Sequence, residues 1–213
     1  MKKKGMLITI EGIHGAGKTT VCKMLVEKLE EMGVKVILSI DQAGTKLGKK
    51  IREINLENDY SIDVLTEALL IAAARRQNIA EVIKPYLLEG KIIISERYTD
   101  AYFAFQGYAR GLPQEFLDCI NSAITEGINP DLTILLDLDP KVALTRLQSY
   151  QMHRIEKEPL EFHEKVRLGY LEQAKKFPDR IKIIDANRAI NHVFRDVWYI
   201  VKEYLMSKGV IKC

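Results

Sequence analysis

Near the start of the chain an apolar run at residues 6–11 (MLITIE) leads into Gly12-Ile13-His14-Gly15-Ala16-Gly17-Lys18-Thr19, and residues 18–32 follow. The apolar run is rich in β-formers and ends at a glycine, so it reads as a buried strand. In the stretch after the loop, Val21, Leu25 and Leu29 share one helical face and Gly33 lies just past the end. The linking segment satisfies G-x-x-x-x-G-K-[ST]. Glycines let such a loop wrap a ligand without Cβ clashes, so that successive N–H groups point inward. A helix beginning at Lys18 adds the positive end of its dipole. Strand, glycine loop and helix in this order form a cradle for a polyphosphate, a P-loop. Lys18 is expected to reach the β- and γ-phosphates, and the Thr19 hydroxyl to ligate Mg²⁺. A glycine turn without a ligand has no need of the Lys18-Thr19 pair in this setting.

The rest of the chain keeps alternating short apolar runs with helical periods, the pattern of a parallel sheet with crossover helices. Residues 34–40, 91–95, 131–138 and 180–185 read as further strands. Residues 45–55, 61–88, 101–107, 114–126, 140–147, 159–177 and 189–206 read as helices, with Pro85 interrupting the second of the chain's helical stretches after the loop helix. Pro140 suits a first helical turn. Residues 148–158 are polar and basic without a clear period, and read as a mobile, lid-like loop. The expected architecture is α/β: a five-stranded parallel sheet with helices on both faces and one domain over residues 1–213.

Composition excludes several alternatives. A net charge of +3 over 213 residues is too small to argue for a nucleic-acid groove, and Lys2, Lys3 and Lys4 read as a solvated basic run. Residues 6–10 are too short for a secretory apolar region, and no stretch approaches the roughly 20 apolar residues of a membrane helix. Cys22, Cys119 and Cys213 are odd in number and lack C-x-x-C spacing. They read as reduced thiols, and the expected location is the cytoplasm.

Among P-loop classes, a regulatory GTPase finds only Asp41-Gln42-Ala43-Gly44 as a D-x-x-G string, and no N-K-x-D follows. A motor or transporter ATPase would want Asp-Glu after a strand, whereas Leu138 follows Asp137. Kinases of small nucleotides fit the length better. They need facing anionic sites, bridging arginines and a lid that excludes water. Ser95-Glu96-Arg97-Tyr98 stands at the carboxyl end of a strand, where open α/β sheets bind ligands. Arg75-Arg76-Gln77-Asn78 falls on a helix that could line an acceptor pocket, and Arg146 and Arg154 flank the lid-like loop.

With these segments in view, the chain resembles the thymidylate kinase family over nearly its whole length. The resemblance rests on Glu11-Gly12-Ile13-His14-Gly15-Ala16-Gly17-Lys18-Thr19-Thr20, Glu96-Arg97-Tyr98 and Ala104-Phe105-Gln106-Gly107. It continues through Pro130-Asp131-Leu132-Thr133 with Leu136-Asp137, then His153-Arg154-Ile155-Glu156 with Phe162, Val166-Arg167 and Tyr170, and finally Asp185-Ala186. The resemblance implies a P-loop nucleotide-kinase fold with its five strands in the order 2-3-1-4-5, a homodimer, and transfer of the ATP γ-phosphoryl to dTMP. It implies that Lys18 and Arg97 neutralise the phosphates and that Arg154 arrives from the lid to stabilise the transferring group. Gly12, Ile13, His14, Gly15, Ala16, Gly17, Lys18, Thr19, Thr20 and Arg146 would hold ATP, while Thr19 and Glu96 would hold Mg²⁺. Arg75 would meet the thymine base, and Asp41, Arg97, Phe105 and Gln106 would complete the acceptor site.

Several positions depart from the family pattern. His14 stands where Asp is usual, Glu96 replaces the Asp of D-R-Y, and His153 replaces the lid Asp. Ile40 stands where the family has an acceptor-phosphate arginine, and Ile71 where a phenylalanine usually stacks on thymine. The changes cluster on the acceptor side. They leave open another nucleoside monophosphate, a deoxynucleoside, or a nucleotide-binding module with little catalysis.

Overall fold

The computed structural model describes residues 5–57, 59–147 and 152–212. The basic run at residues 2–4, Cys213 and residues 148–151 of the expected lid lie outside these. Five parallel strands form one sheet in the order β2-β3-β1-β4-β5: β1 (Met6–Glu11), β2 (Val36–Ile40), β3 (Ile92–Glu96), β4 (Leu132–Asp137) and β5 (Ile181–Asp185). This is the order expected from the sequence. β2 starts two residues later than expected, because the Val34 N–H closes the preceding turn onto the Leu29 carbonyl. The central strands are buried on both faces, which is why they read as continuous apolar runs.

Nine α-helices are described: α1 (Lys18–Glu31), α2 (Lys46–Leu56), α3 (Val64–Asn78), α4 (Lys84–Leu88), α5 (Thr99–Tyr102), α6 (Gln114–Thr125), α7 (Pro140–Leu147), α8 (Leu160–Lys176) and α9 (Ile190–Ser207). The expected single helix over residues 61–88 is three pieces. Asp63 caps α3 by accepting from Leu65 and Thr66, so the helix begins at Val64. A wide π-helical turn, Ile79–Ile83, then precedes Pro85, which has no N–H to donate. The helix expected at 101–107 likewise splits into α5 and a second π-helical turn, Phe103–Ala109. Such wide turns frequently mark functional sites, and this one carries Phe105 and Gln106.

The lid-like stretch is not wholly a loop. Arg154–Lys157 forms a 3-10 turn in which the His153 side chain and Glu156 make a reciprocal cap, with the His153 N–H donating to Glu156 at 2.9 Å. Local side-chain pairing of this kind leaves no mark on hydrophobic periodicity.

Candidate active site

Because all strands run parallel, their carboxyl ends deliver Glu11, Ile40, Glu96, Asp137 and Asp185 to one edge of the sheet. The glycine loop crosses that edge between β1 and α1. Gly12 has φ 139° and Gly15 has φ 78°, and an added Cβ would lie 2.5 Å from the Leu136 carbonyl oxygen and 2.8 Å from that of Ala143, respectively. Both the backbone conformation and the space therefore demand glycine. α1 starts with no acidic residue in its first turn and no side-chain cap, so its leading N–H groups remain free for an anion.

Lys18 lies at the base of this loop, 5% exposed, with Nζ donating to the Ile13 carbonyl at 2.7 Å. Burial, helped by the nearby Arg97 charge, lowers its pKa to about 7. An amine whose charge is disfavoured by burial, and would be restored beside an anion, fits a residue that meets a polyphosphate. The Thr19 hydroxyl donates to Glu96 Oε1 at 2.9 Å, which joins the two residues expected to hold Mg²⁺. No cluster of three or more His, Cys, Asp or Glu side chains that could hold a metal exists among the described residues. One hydroxyl and one carboxylate nonetheless fit Mg²⁺, a hard cation that keeps several waters and takes phosphate oxygens from its substrate. Arg146 reaches the same loop from α7, donating to the Gly15 carbonyl at 3.3 Å and to the Ala186 carbonyl at 3.2 Å.

Arg97 follows β3 directly and adopts φ 67°, a left-handed conformation that costs a non-glycine residue about 1–3 kcal/mol. Glu11 secures it twice. Glu11 Oε1 accepts from the Tyr98 N–H at 2.7 Å, and Oε2 accepts from the Tyr170 hydroxyl at 3.0 Å. Tyr170 in turn accepts from Arg97 Nη1 at 2.6 Å, and the same nitrogen donates to the Gly12 carbonyl at 2.9 Å. The Glu11 carboxyl is held above its ordinary pKa by burial and by Asp100. Arg97 Nη2 is buried without a partner, beside the phosphate loop.

A pocket adjoins the loop, lined among others by His14, Asp41, Ile71, Arg75, Arg97, Phe105 and Gln106. It thus gathers the expected acceptor residues from the segments just after β2 and β3, from α3 and from the second π-helical turn, beside His14 of the glycine loop. Arg75 and Asp41 form a buried ion pair, and Arg75 Nη1 has no partner. Asp41 is therefore committed to Arg75. Gln106 donates Nε2 to Glu67 at 3.0 Å, while its Oε1 has no partner. The His14 ring packs edge-on against Phe105 with centroids 5.4 Å apart. Burial, then the charges of Arg97 and Lys18, push its pKa well below the ordinary value, so it is a neutral imidazole.

Arg154 does not meet the phosphate loop. Its Nη2 donates to Glu67 Oε2 at 2.6 Å and to the Asn55 carbonyl at 3.0 Å, while the next residue, Ile155, lines the same pocket. Sequence reasoning missed Glu67, which also accepts from Arg110 at 3.1 and 3.0 Å. One signal was available: a lone carboxylate within VLTEALLIAAA, a helix whose apolar residues are not confined to one face. The contact between Glu11 and Tyr170 spans 159 positions, so no local pattern in the sequence marks it.

A family model described as thymidylate kinase matches residues 10–197. The chain is 44% identical over 205 residues to the thymidylate kinase of Pelotomaculum thermopropionicum, covering 95% of each chain. It is 41% identical over 202 residues to that of Thermoanaerobacter sp. strain X514, covering 95% of this chain and all of that protein. The crystal structure of thymidylate kinase from Ehrlichia chaffeensis superposes with a TM-score of 0.78 at 33% identity, over 93% of this chain and 98% of that one. With the family model spanning most of its length and relatives at this identity, the chain belongs to the thymidylate kinase family.

Proposed function

We infer that this chain transfers the γ-phosphoryl group of ATP to dTMP, giving dTDP and ADP. The observation that carries the acceptor assignment is the pair of unpartnered polar atoms on residues lining the pocket: a donor, Arg75 Nη1, and an acceptor, Gln106 Oε1. Thymine offers the complement, a carbonyl at position 4 and an N–H at position 3. Cytosine offers the reverse at both positions, and buried groups left unpaired give strong discrimination. Family membership and this donor–acceptor pattern point to the same base.

The donor half follows from the loop. N–H groups of the glycine loop and of the start of α1 would cradle the polyphosphate, with Lys18 Nζ released from Ile13 onto it. Arg146 would border the adenosine side. Mg²⁺ held by Thr19 and Glu96 would neutralise phosphate charge. Arg97, with Nη2 free, would span the acceptor and transferring phosphates. In-line transfer asks little beyond such positioning and charge compensation. Phe105 and the neutral His14 would face the acceptor sugar, a departure from the family that removes one anion beside a phosphate. For Arg154 to serve the transferring group, the lid must trade its Glu67 contact for the substrate.

We further propose a homodimer and a cytoplasmic location. Leu47 and Ile54 on α2, with Leu65 and Leu69 on α3, expose apolar side chains on two packed helices. Cys22 and Cys119 are free thiols, and no helix among the described residues is long and apolar enough to cross a membrane.

An acceptor panel tests the main reading. With ATP and Mg²⁺, dTMP is expected to outpace dCMP, dAMP, dGMP and thymidine in kcat/KM. A better rate with any of these, or none with dTMP, overturns the assignment. His14→Asp and Ile71→Phe, run on the same panel, are expected to keep dTMP as the preferred acceptor.

A further inference from the structure

We propose that Glu67 is a specificity-positioning residue: it fixes the Gln106 amide with nitrogen turned toward Glu67 and oxygen left for the acceptor base. The pocket then takes a pyrimidine bearing N3–H and rejects one with a bare N3. This inference rests on the reading that Gln106 meets the base.

The argument is one of donors and acceptors. An ionised carboxylate only accepts hydrogen bonds, so the Gln106 group 3.0 Å from Glu67 Oε1 must be the NH₂. A flipped amide would set oxygen against oxygen, both of them buried. Glu67 is kept ionised by its surroundings. Burial acts to raise its pKa, but Arg110, Arg154 and Gln106 together hold it below the ordinary carboxylate value. Arg110 binds it through two nitrogens at 3.1 and 3.0 Å, and Arg154 through one at 2.6 Å. The two guanidiniums fix the carboxylate, and the carboxylate fixes the amide. Glu67 also stands one helical turn before Ile71 and two before Arg75, on the face of α3 that walls the pocket. One helix therefore sets both polar determinants of the base: Arg75 directly, and Gln106 through Glu67.

The test is the ratio of kcat/KM for dTMP to that for dCMP, measured with both acceptors in competition. In Glu67→Gln the new amide is expected to give its oxygen to Arg110 and Arg154, leaving its NH₂ toward Gln106. Gln106 then turns its oxygen outward from the base, and the ratio should fall at least tenfold. Losses that come from freeing Arg154, or from a smaller active fraction, act on both acceptors and cancel. A merely structural role would leave the ratio where it was. Gln106→Leu serves as the reference and should also lower the ratio. If Gln106→Leu lowers it and Glu67→Gln leaves it within threefold of the original, the proposal is overturned while the base reading stands. If Gln106→Leu leaves it unchanged, both fall. Should Glu67→Gln not fold, Glu67→Asp keeps the charge for the arginines but withdraws it from Gln106. The ratio should again drop, by at least threefold, and an unchanged value overturns the proposal.

Discussion

Arg75 and Asp41 face each other through two hydrogen bonds, 2.8 Å from Nε to Oδ1 and 2.6 Å from Nη2 to Oδ2, with both side chains buried. The pair joins the end of the outermost strand, β2, to α3 and leaves Nη1 available. Removing Asp41 would strand a guanidinium out of water without its counter-ion, a change that costs about 3–5 kcal/mol. Asp41→Ala is therefore expected to lower stability by that order in chemical denaturation. Asp41→Ala/Arg75→Ala should cost less than the sum of the single changes. Strict additivity would show that the pair is not coupled.

Gly15 meets two constraints that can be separated. Its φ of 78° alone makes alanine costly by about 1–2 kcal/mol. Its Cβ would also press on the Ala143 carbonyl at 2.8 Å, whereas Gly33, with φ 73°, has nothing within 4 Å. Gly33→Ala thus measures the backbone part by itself. Gly15→Ala should be the more destabilising of the two, and ATP affinity should fall only in Gly15→Ala. Equal effects in a paired melting and ATP-titration experiment would refute the steric account.

Lys18 links ATP binding to protons. Its pKa is lowered from 10.5 to about 7 in the free protein, so above pH 7 a growing share is neutral, while the polyphosphate favours the ammonium. ATP binding at pH 8 should take up protons, and affinity should weaken as the pH rises from there. Titration calorimetry in buffers of different ionisation enthalpy reads this directly. The linked stability has the opposite sense: between pH 7 and 10.5 the unfolded chain holds the proton that the folded chain has lost, so this residue's contribution grows with pH. Lys18→Ala should abolish both transfer and proton uptake. Uptake that persists in that variant would assign it to another group.

The Thr19–Glu96 contact predicts a metal phenotype. Thr19→Val and Glu96→Gln should each raise the Mg²⁺ concentration needed for half-maximal rate by about tenfold or more, with a smaller effect on dTMP affinity measured without metal. Magnesium titrations that superpose on those of the unmodified protein would remove these residues from the metal site.

The sequence by itself determined the features whose causes are local. Glycines at 12, 15 and 17, the Lys18-Thr19 pair and the apolar runs on either side depend on steric freedom and periodicity within a few residues. They sufficed for the loop and for the α/β class, while the strand order came with the family resemblance that the motifs carry. Tertiary structure alone decided the partnerships. Arg154 and Glu67 are 87 positions apart, Tyr170 and Glu11 are 159 apart, and no local pattern in the sequence pairs either set. Only the assembled sheet, with its strands' carboxyl ends at one edge, brings these groups together where little solvent reaches them. There a carboxylate must be paired and its partners must take one orientation. That burial turns Glu67 from one more acidic residue on a helix into the group that orients Gln106, and Arg97 from a charge after a strand into a held guanidinium.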